Sequence, residues 1–265
     1  IDISELLKPI NDSLLCGEDY SFSNEFHEIK KARTQDDLLL DQGDWVAERK
    51  QADWDFVAKS VSTLLIEKTK DIRLLTWVIE AWTHLNGFEG MVKGITLTHT
   101  MLNQYWQDIH PIIEDDDLDQ RIGLLQGLIN QLPMLLKKVP LTNTAPYYNL
   151  LDYDNFLYHE NIRRKQTEEY ESQSGPSELE QFDQAIFNTS KTFQYSNYQE
   201  FNAVLTEWNV LKQTLGHLMG LDSPSFAAID SAFETIHSTL RKIYKAEAFG
   251  TGLAPSQEQA AVITT

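Results

Sequence analysis

Cysteine is almost absent from this chain of 265 residues: Cys16 stands alone, so an internal disulfide and a multi-cysteine metal site are both excluded. Long apolar runs are missing too. Nothing approaches the roughly 20 residues that span a bilayer, and no basic-then-apolar signal layout follows Ile1. Positive charge is scarce: 40 acidic residues face 22 basic ones, for a formal charge of −18. Such a field repels phosphate backbones and anionic lipid, which argues against binding nucleic acid or membrane surfaces. There is no alternating strand pattern and no fixed-length repeat.

Motifs that carry chemistry are missing as well. The sequence has no G-x-x-x-x-G-K-[ST] phosphate loop, no G-x-G-x-x-G fingerprint and no G-x-S-x-G nucleophile elbow. Histidines at 27, 84, 99, 110, 159, 217 and 237 form no H-E-x-x-H pair. Asp115, Asp117 and Asp119 fall at positions one, three and five of a calcium loop. However, Gln120 stands where its turn glycine belongs and Gln126 where its bidentate glutamate belongs. The run Glu114–Asp119 is better read as a charged loop beside the positive end of the following helix. Cys16 has no base beside it in the sequence to make it a nucleophile. No catalytic residue, cofactor or metal ligand is therefore expected.

What is present is a helical, foldable composition. Hydrophobic residues make up 42% and charged ones 23%, with 6 Trp, 10 Tyr and 12 Phe, which marks a globular rather than a disordered chain. The opening to about residue 51 mixes short helical pieces with turns. Phe22, Phe26 and Ile29 share one helical face, and a polar loop occupies Thr34–Lys50. Trp54, Val57, Val61, Leu64 and Leu65 recur at helical spacing. Asp71 is placed to cap a second long helix carrying Leu74, Leu75, Val78, Ala81, Trp82 and Leu85, and Gly87 to end it. A third helix, Phe88–Trp106, turns Met91, Val92, Ile95, Met101, Leu102 and Tyr105 inward. A fourth runs from Asp119 to Val139, kinked at Pro133. Residues 141–160 fit either an extended aromatic segment or one short helix.

Later, Ser177 and Glu180 have capping-box spacing, as do Ser196 and Gln199. Gly220 closes a helix, and Ser223–Pro224 opens the last one. Gly90 with Gly94, and Gly123 with Gly127, permit close helix approach. Trp54, Trp77, Trp82 and Trp106 read as core. The fold class is all-α, a bundle of antiparallel amphipathic helices with a second, smaller helical subdomain. The expected division is 1–162, a polar linker at 163–177, a three-helix subdomain at 178–249 and a tail at 250–265.

Several of these pieces occur in an order that resembles a known family. They are Leu6-Leu7-x-Pro9-Ile10, Cys16-Gly17-Glu18-Asp19, Phe26, Asp53-Trp54-x-x-Val57 and Lys70-Asp71-Ile72-Arg73 with Trp77. They continue as Gly87-Phe88-x-Gly90, Gly94, Tyr105-Trp106-x-x-Ile109-His110-Pro111 and an acidic stretch leading to Arg121. Together, over residues 5–150, they are similar to the ImpA-type N-terminal domain of the TssA proteins of bacterial type VI secretion. Leu15 replaces the usual Pro, Thr69 the usual Ser, and Ile72 and Ile109 the usual Leu.

The resemblance implies a non-enzymatic, cytoplasmic assembly component that binds baseplate, sheath and tube proteins, with self-association possible. It also implies a further C-terminal region beyond this piece of chain. A helical adaptor outside secretion, a membrane-anchored sheath-limiting protein with a similar domain, and an enzyme with a carboxylate or histidine cleft are the alternatives. The candidate partner-contact residues are Gly17, Glu18, Asp19, His110, Asp115, Asp116, Asp117 and Asp119. Asp53, Trp54, Asp71, Arg73, Trp77, Gly87, Gly90, Gly94, Trp106 and Pro111 are expected to fix the fold.

Overall fold

The computed structural model describes residues 2–35, 50–166 and 175–251. Most of the expected polar loop at Thr34–Lys50, the centre of the expected linker at 163–177 and most of the tail lie outside those residues. Among the described residues the secondary structure is helical, with isolated backbone bridges and no strand. The all-α reading holds.

By packing, the chain forms two compact units: residues 1–136 with 203–230, and residues 137–202 with 231–265. This grouping differs from the sequence-based division. Two helices, Lys191–Met219 and Ala227–Tyr244, each contribute residues to both units, so no loop marks those boundaries.

The first unit is built on α1 (Ile3–Leu7), α2 (Asn24–Ala32), α3 (Trp54–Glu67), α4 (Ile72–Tyr105) and α5 (Asp119–Asn130), followed by α6 (Leu132–Lys137). Short polar side chains start four of these helices, Asp2 accepting the Ser4 N–H at α1. Ser23, Asp53 and Asp71 accept the backbone N–H of Phe26, Phe56 and Arg73, and each such cap contributes about 1 kcal/mol. α4 is two helices joined at Gly87, whose φ of 63° and ψ of −141° break the spiral; that conformation costs glycine little.

The stripes read from the sequence form the core. Val57, Val61, Leu64 and Leu65 of α3 are buried, as are Leu74, Leu75, Val78, Ala81, Trp82, Phe88, Met91, Ile95, Met101 and Leu102 of α4. Leu85 and Val92 were expected inward, but Leu85 is exposed and Val92 half-buried. Trp54 is half-buried and stacks on His84 at 4.3 Å. Phe22 lies before α2 and is fully exposed rather than on its buried face. The break at Gln131 divides the expected fourth helix into α5 and α6, with Pro133 near the start of α6.

The two glycine pairs separate. A Cβ on Gly90 would sit 1.9 Å from the Trp82 carbonyl oxygen, and one on Gly94 2.8 Å from Ile79, so close approach holds there. At Gly123 and Gly127 a Cβ meets nothing within 4 Å, which corrects the expectation for that pair. Gly90→Ala should therefore destabilise the protein by about 2–3 kcal/mol or more, because backbone must move. Gly123→Ala should be neutral or stabilising by up to about 1 kcal/mol. Urea midpoints of the two variants check this contrast.

The second unit holds α7 (Leu150–Gln166), α8 (Glu178–Asn188), residues 191–202 of α9 (Lys191–Met219) and residues 231–244 of α10 (Ala227–Tyr244). The segment left open, residues 141–160, is irregular up to Asn149 and then becomes α7, a long helix. Its length follows from aromatic packing: Phe182 of α8 meets Tyr148, Tyr153 and Phe156 at ring-centroid distances of 5.6, 5.1 and 6.4 Å.

The Ser177–Glu180 capping box forms as read. The one placed at Ser196 does not, because Ser196 lies inside α9. Ser190 does the capping, its Oγ accepting the Phe193 N–H at 3.2 Å, and the earlier start lets α9 bring Asn197 to Tyr244. There the Tyr244 hydroxyl accepts from Asn197 at 3.0 Å and donates to the Leu141 carbonyl at 2.6 Å. Ser223–Pro224 likewise precedes the last helix without starting it; α10 begins at Ala227.

Candidate functional site

Helix ends explain where the family-like motifs converge. The last carbonyls of a helix have no intrahelical donor and carry partial negative charge. In the first unit, three such ends are buried together and two buried cations serve them. The Lys70 ammonium donates to the Leu6 carbonyl at the end of α1, at 2.8 Å, and to the Leu65 carbonyl near the end of α3, at 2.5 Å. The Arg121 guanidinium donates to the Trp106, Ile109 and Pro111 carbonyls beyond the end of α4. Arg121 also lies 4.7 Å from the Trp106 ring centre. Tyr105 completes the set, donating to the Leu7 carbonyl at 2.5 Å.

Backbone segments knit around these cations. The Lys70 N–H donates to the Cys16 carbonyl, the His110 N–H to the Lys70 carbonyl and the Ile72 N–H to the His110 carbonyl. The Thr69 hydroxyl donates to the Glu18 carbonyl at 2.7 Å. His110 Nε2 lies 2.8 Å from the Gly17 oxygen and donates to it, since a carbonyl oxygen can only accept. Gly17 has a φ of 65°, and a Cβ there would fall 2.0 Å from the Lys68 carbonyl oxygen; glycine is required on both counts. Asp71 is fully buried, accepts the Arg73 N–H, and forms a two-pronged pair with the Arg73 guanidinium at 2.9 Å on each arm.

The electrostatics of this hub are those of desolvation. Burial lowers Lys70 to about 8 and Arg121 to about 10, because a cation is less stable away from water. Burial pushes the Cys16 thiol up to about 12. It therefore stays protonated at neutral pH, which removes its nucleophilicity. Burial also raises the Asp71 carboxyl, against the lowering effect of Arg73. Lys70, Arg121 and Asp71 are each paired with neighbours in the fold.

The residues expected to contact a partner divide into two sets. Gly17 and His110 are buried in the hub. Glu18 and Asp19 are exposed beside it, as are Asp115, Asp116, Asp117 and Asp119. At Asp19, burial acts to raise the carboxyl, but hydrogen bonds from Ser21 with His110 and Arg73 nearby leave it below its usual range. In the acidic loop, Asp115 and Asp116 hold φ of 51° and 59°, and Asp117 accepts the Asp119 N–H at 2.8 Å. This confirms a turn at the start of α5 whose carboxylates face water. Among the described residues no group of three or more His, Cys, Asp or Glu could hold a metal ion.

The fold-fixing set sits as expected in most places. Trp77, Gly90, Gly94, Trp106 and Pro111 are buried, Trp77 meeting Phe26 edge-on at 5.2 Å, while Asp53 caps α3 from the surface. Lys70, Arg121 and the Tyr105 hydroxyl were missed as central. Their only sequence signal was their place inside the family-like motifs.

Comparison with known proteins agrees with this arrangement. The family model described as "ImpA, N-terminal, type VI secretion system" matches residues 7–130, a span that holds all of the hub but Leu6. The type VI secretion system component TssA1 of Pseudomonas aeruginosa is 28% identical over 152 residues, covering 56% of this chain and 43% of that protein. The aligned region is thus less than half of that relative. The solved N-terminal domain of the TssA component from Burkholderia cenocepacia, which includes the ImpA_N region, superposes with a TM-score of 0.80. It is 29% identical, covering 93% of this chain and 94% of that one.

Proposed function

Since the chain belongs to the TssA family of type VI secretion components, we propose that it acts in the cytoplasm as an assembly scaffold. It binds baseplate, sheath or tube proteins of that system through its exposed acidic surface and performs no chemistry. The observation that carries this reading is the contrast around the hub: buried motif residues satisfy one another, while Glu18, Asp19 and Asp115–Asp119 are presented to solvent on the same rigid backbone. A network whose polar groups are all satisfied holds such a surface in place. Carboxylates on a surface of this sign favour a basic partner face and speed its encounter. Among the described residues no helix is long and apolar enough to cross a membrane.

The test is capture of purified baseplate, sheath and tube proteins from the same secretion system on the immobilised chain. Retention of at least one of them, weakening severalfold as salt rises from 0.15 to 0.5 M, is expected of a carboxylate-driven contact. Retention of none would shift the reading to an adaptor outside secretion.

A further inference from the structure

Positive charge is scarce in this chain, yet three lysines gather in the second unit without partners. A groove of about 740 Å³ runs between α7, α8, the start of α9 and the end of α10, and Lys191, Lys242 and Lys245 line it. All three are exposed. Among the described residues these three meet no carboxylate within 4.0 Å, as is also true of Lys30, Lys31, Lys59, Lys68 and Lys138; what sets the three apart is that they line one groove. Lys242 suits the negative end of α10, but Lys191 is the first residue of α9, where the helix dipole disfavours a cation. Lys245 stands at φ 50°, a conformation that side chains other than glycine resist. Two of the three cations are therefore held at a local cost.

The groove also contains an unanswered acceptor. Gln194 is 1% exposed. Its amide nitrogen donates to the Ile186 and Thr189 carbonyls, both at 3.0 Å, which fixes the orientation of the amide. Its Oε1 has no donor. Leu157, Leu179, Ile186 and the exposed Phe187 form an apolar wall, and Glu180 and Asp183 line the groove too. Glu180 is occupied in its capping box. An occupant would bring carboxylates for the lysines and apolar side chains for the wall. Clefts of this size admit a loop tip rather than a folded face.

The same sequence holds a segment of that description. Ile112, 55% exposed, leads into the exposed carboxylates of Glu114–Asp119 on a tight turn. We propose that the lysine groove of one copy receives the Ile112–Asp119 loop of a second copy. At 0.15 M salt the screening length is about 8 Å, so the repulsion between two chains of −18 is damped while the contact itself survives.

The test uses the whole chain and two variants, K191E/K242E/K245E and D115K/D116K/D117K, all at exposed positions. Sedimentation is measured up to about 1 mM, enough to detect a millimolar dissociation constant. Wild type should self-associate with rising concentration, and each variant alone should lose at least tenfold in association. Mixing the two should restore association, because the acidic loop of one meets the lysine groove of the other and the reversed pair is complementary as well. A wild type that stays monomeric, or a mixture that does, overturns the proposal. The lysine variant leaves the acidic loop intact, so its capture of secretion proteins should persist; this separates failure of self-association from failure of the scaffold reading.

Discussion

Arg121→Ala should lose about 3–5 kcal/mol of folding stability, because it strands the carbonyls of Trp106, Ile109 and Pro111 in a buried site. For a chain of this size that corresponds to a fall of about 10 °C in Tm. The stacking of the guanidinium on Trp106 is lost with it, a contribution of about 1–2 kcal/mol when desolvated. Arg121→Lys should recover less than half of the loss. An ammonium keeps the charge but lacks the planar fork that reaches three carbonyls at once. Thermal and urea unfolding of the two variants measure this, and a near-neutral Arg121→Ala would show that the carbonyls find other donors.

Lys70 should make stability rise with alkaline pH, opposite to the effect of the buried thiol. Its pKa falls from 10.5 to about 8 on folding. Below pH 8 both states hold the proton, and the cost of burying the ammonium, roughly 3 kcal/mol, is present in full. Between about 8 and 10.5 the unfolded chain keeps the proton and the folded chain releases it, so stability rises. Above 10.5 neither state holds it and the gain is complete. Cys16 works in the other direction: its pKa rises from 9.0 to about 12 on folding, so stability is lost as pH climbs from 9 towards 12. The comparison that isolates Lys70 is wild type against Lys70→Met, by urea unfolding from pH 7 to 10.5. The stability difference between them should move by about 2–3 kcal/mol in favour of wild type over that range. A constant difference would mean that the ammonium is solvated.

Local rules were read well where a side chain answers its own backbone. Asp71, the Ser177–Glu180 box, Gly87 and Gly220 are set by short-range geometry and appear where the sequence places them. Readings failed where distant packing outvoted an equally good local signal. Ser196–Gln199 has the spacing of a cap, yet α9 starts earlier so that Asn197 reaches Tyr244. Residues 150–166 look weakly helical alone and become α7 through contacts of Tyr153 and Phe156 with Phe182. The hub was the least legible feature. A sequence reading puts lysine and arginine at the surface because burying charge is costly, and only the convergence of three helix ends makes Lys70 and Arg121 worth burying. The acidic loop was legible in place and in exposure; Gly17 and His110, read beside it as contact residues, lie buried in the hub.

The central claim is that the buried hub holds the fold while the exposed acids make the contact. It is tested most directly by reversing Asp115, Asp116, Asp117 and Asp119 together and measuring unfolding and capture of baseplate, sheath and tube proteins on the same samples. The account predicts a Tm lowered by no more than about 5 °C, since Asp117 also accepts the Asp119 N–H at the start of α5 and a lost cap of this kind costs about 1 kcal/mol, with capture reduced at least tenfold. Undiminished capture by the folded variant would contradict it.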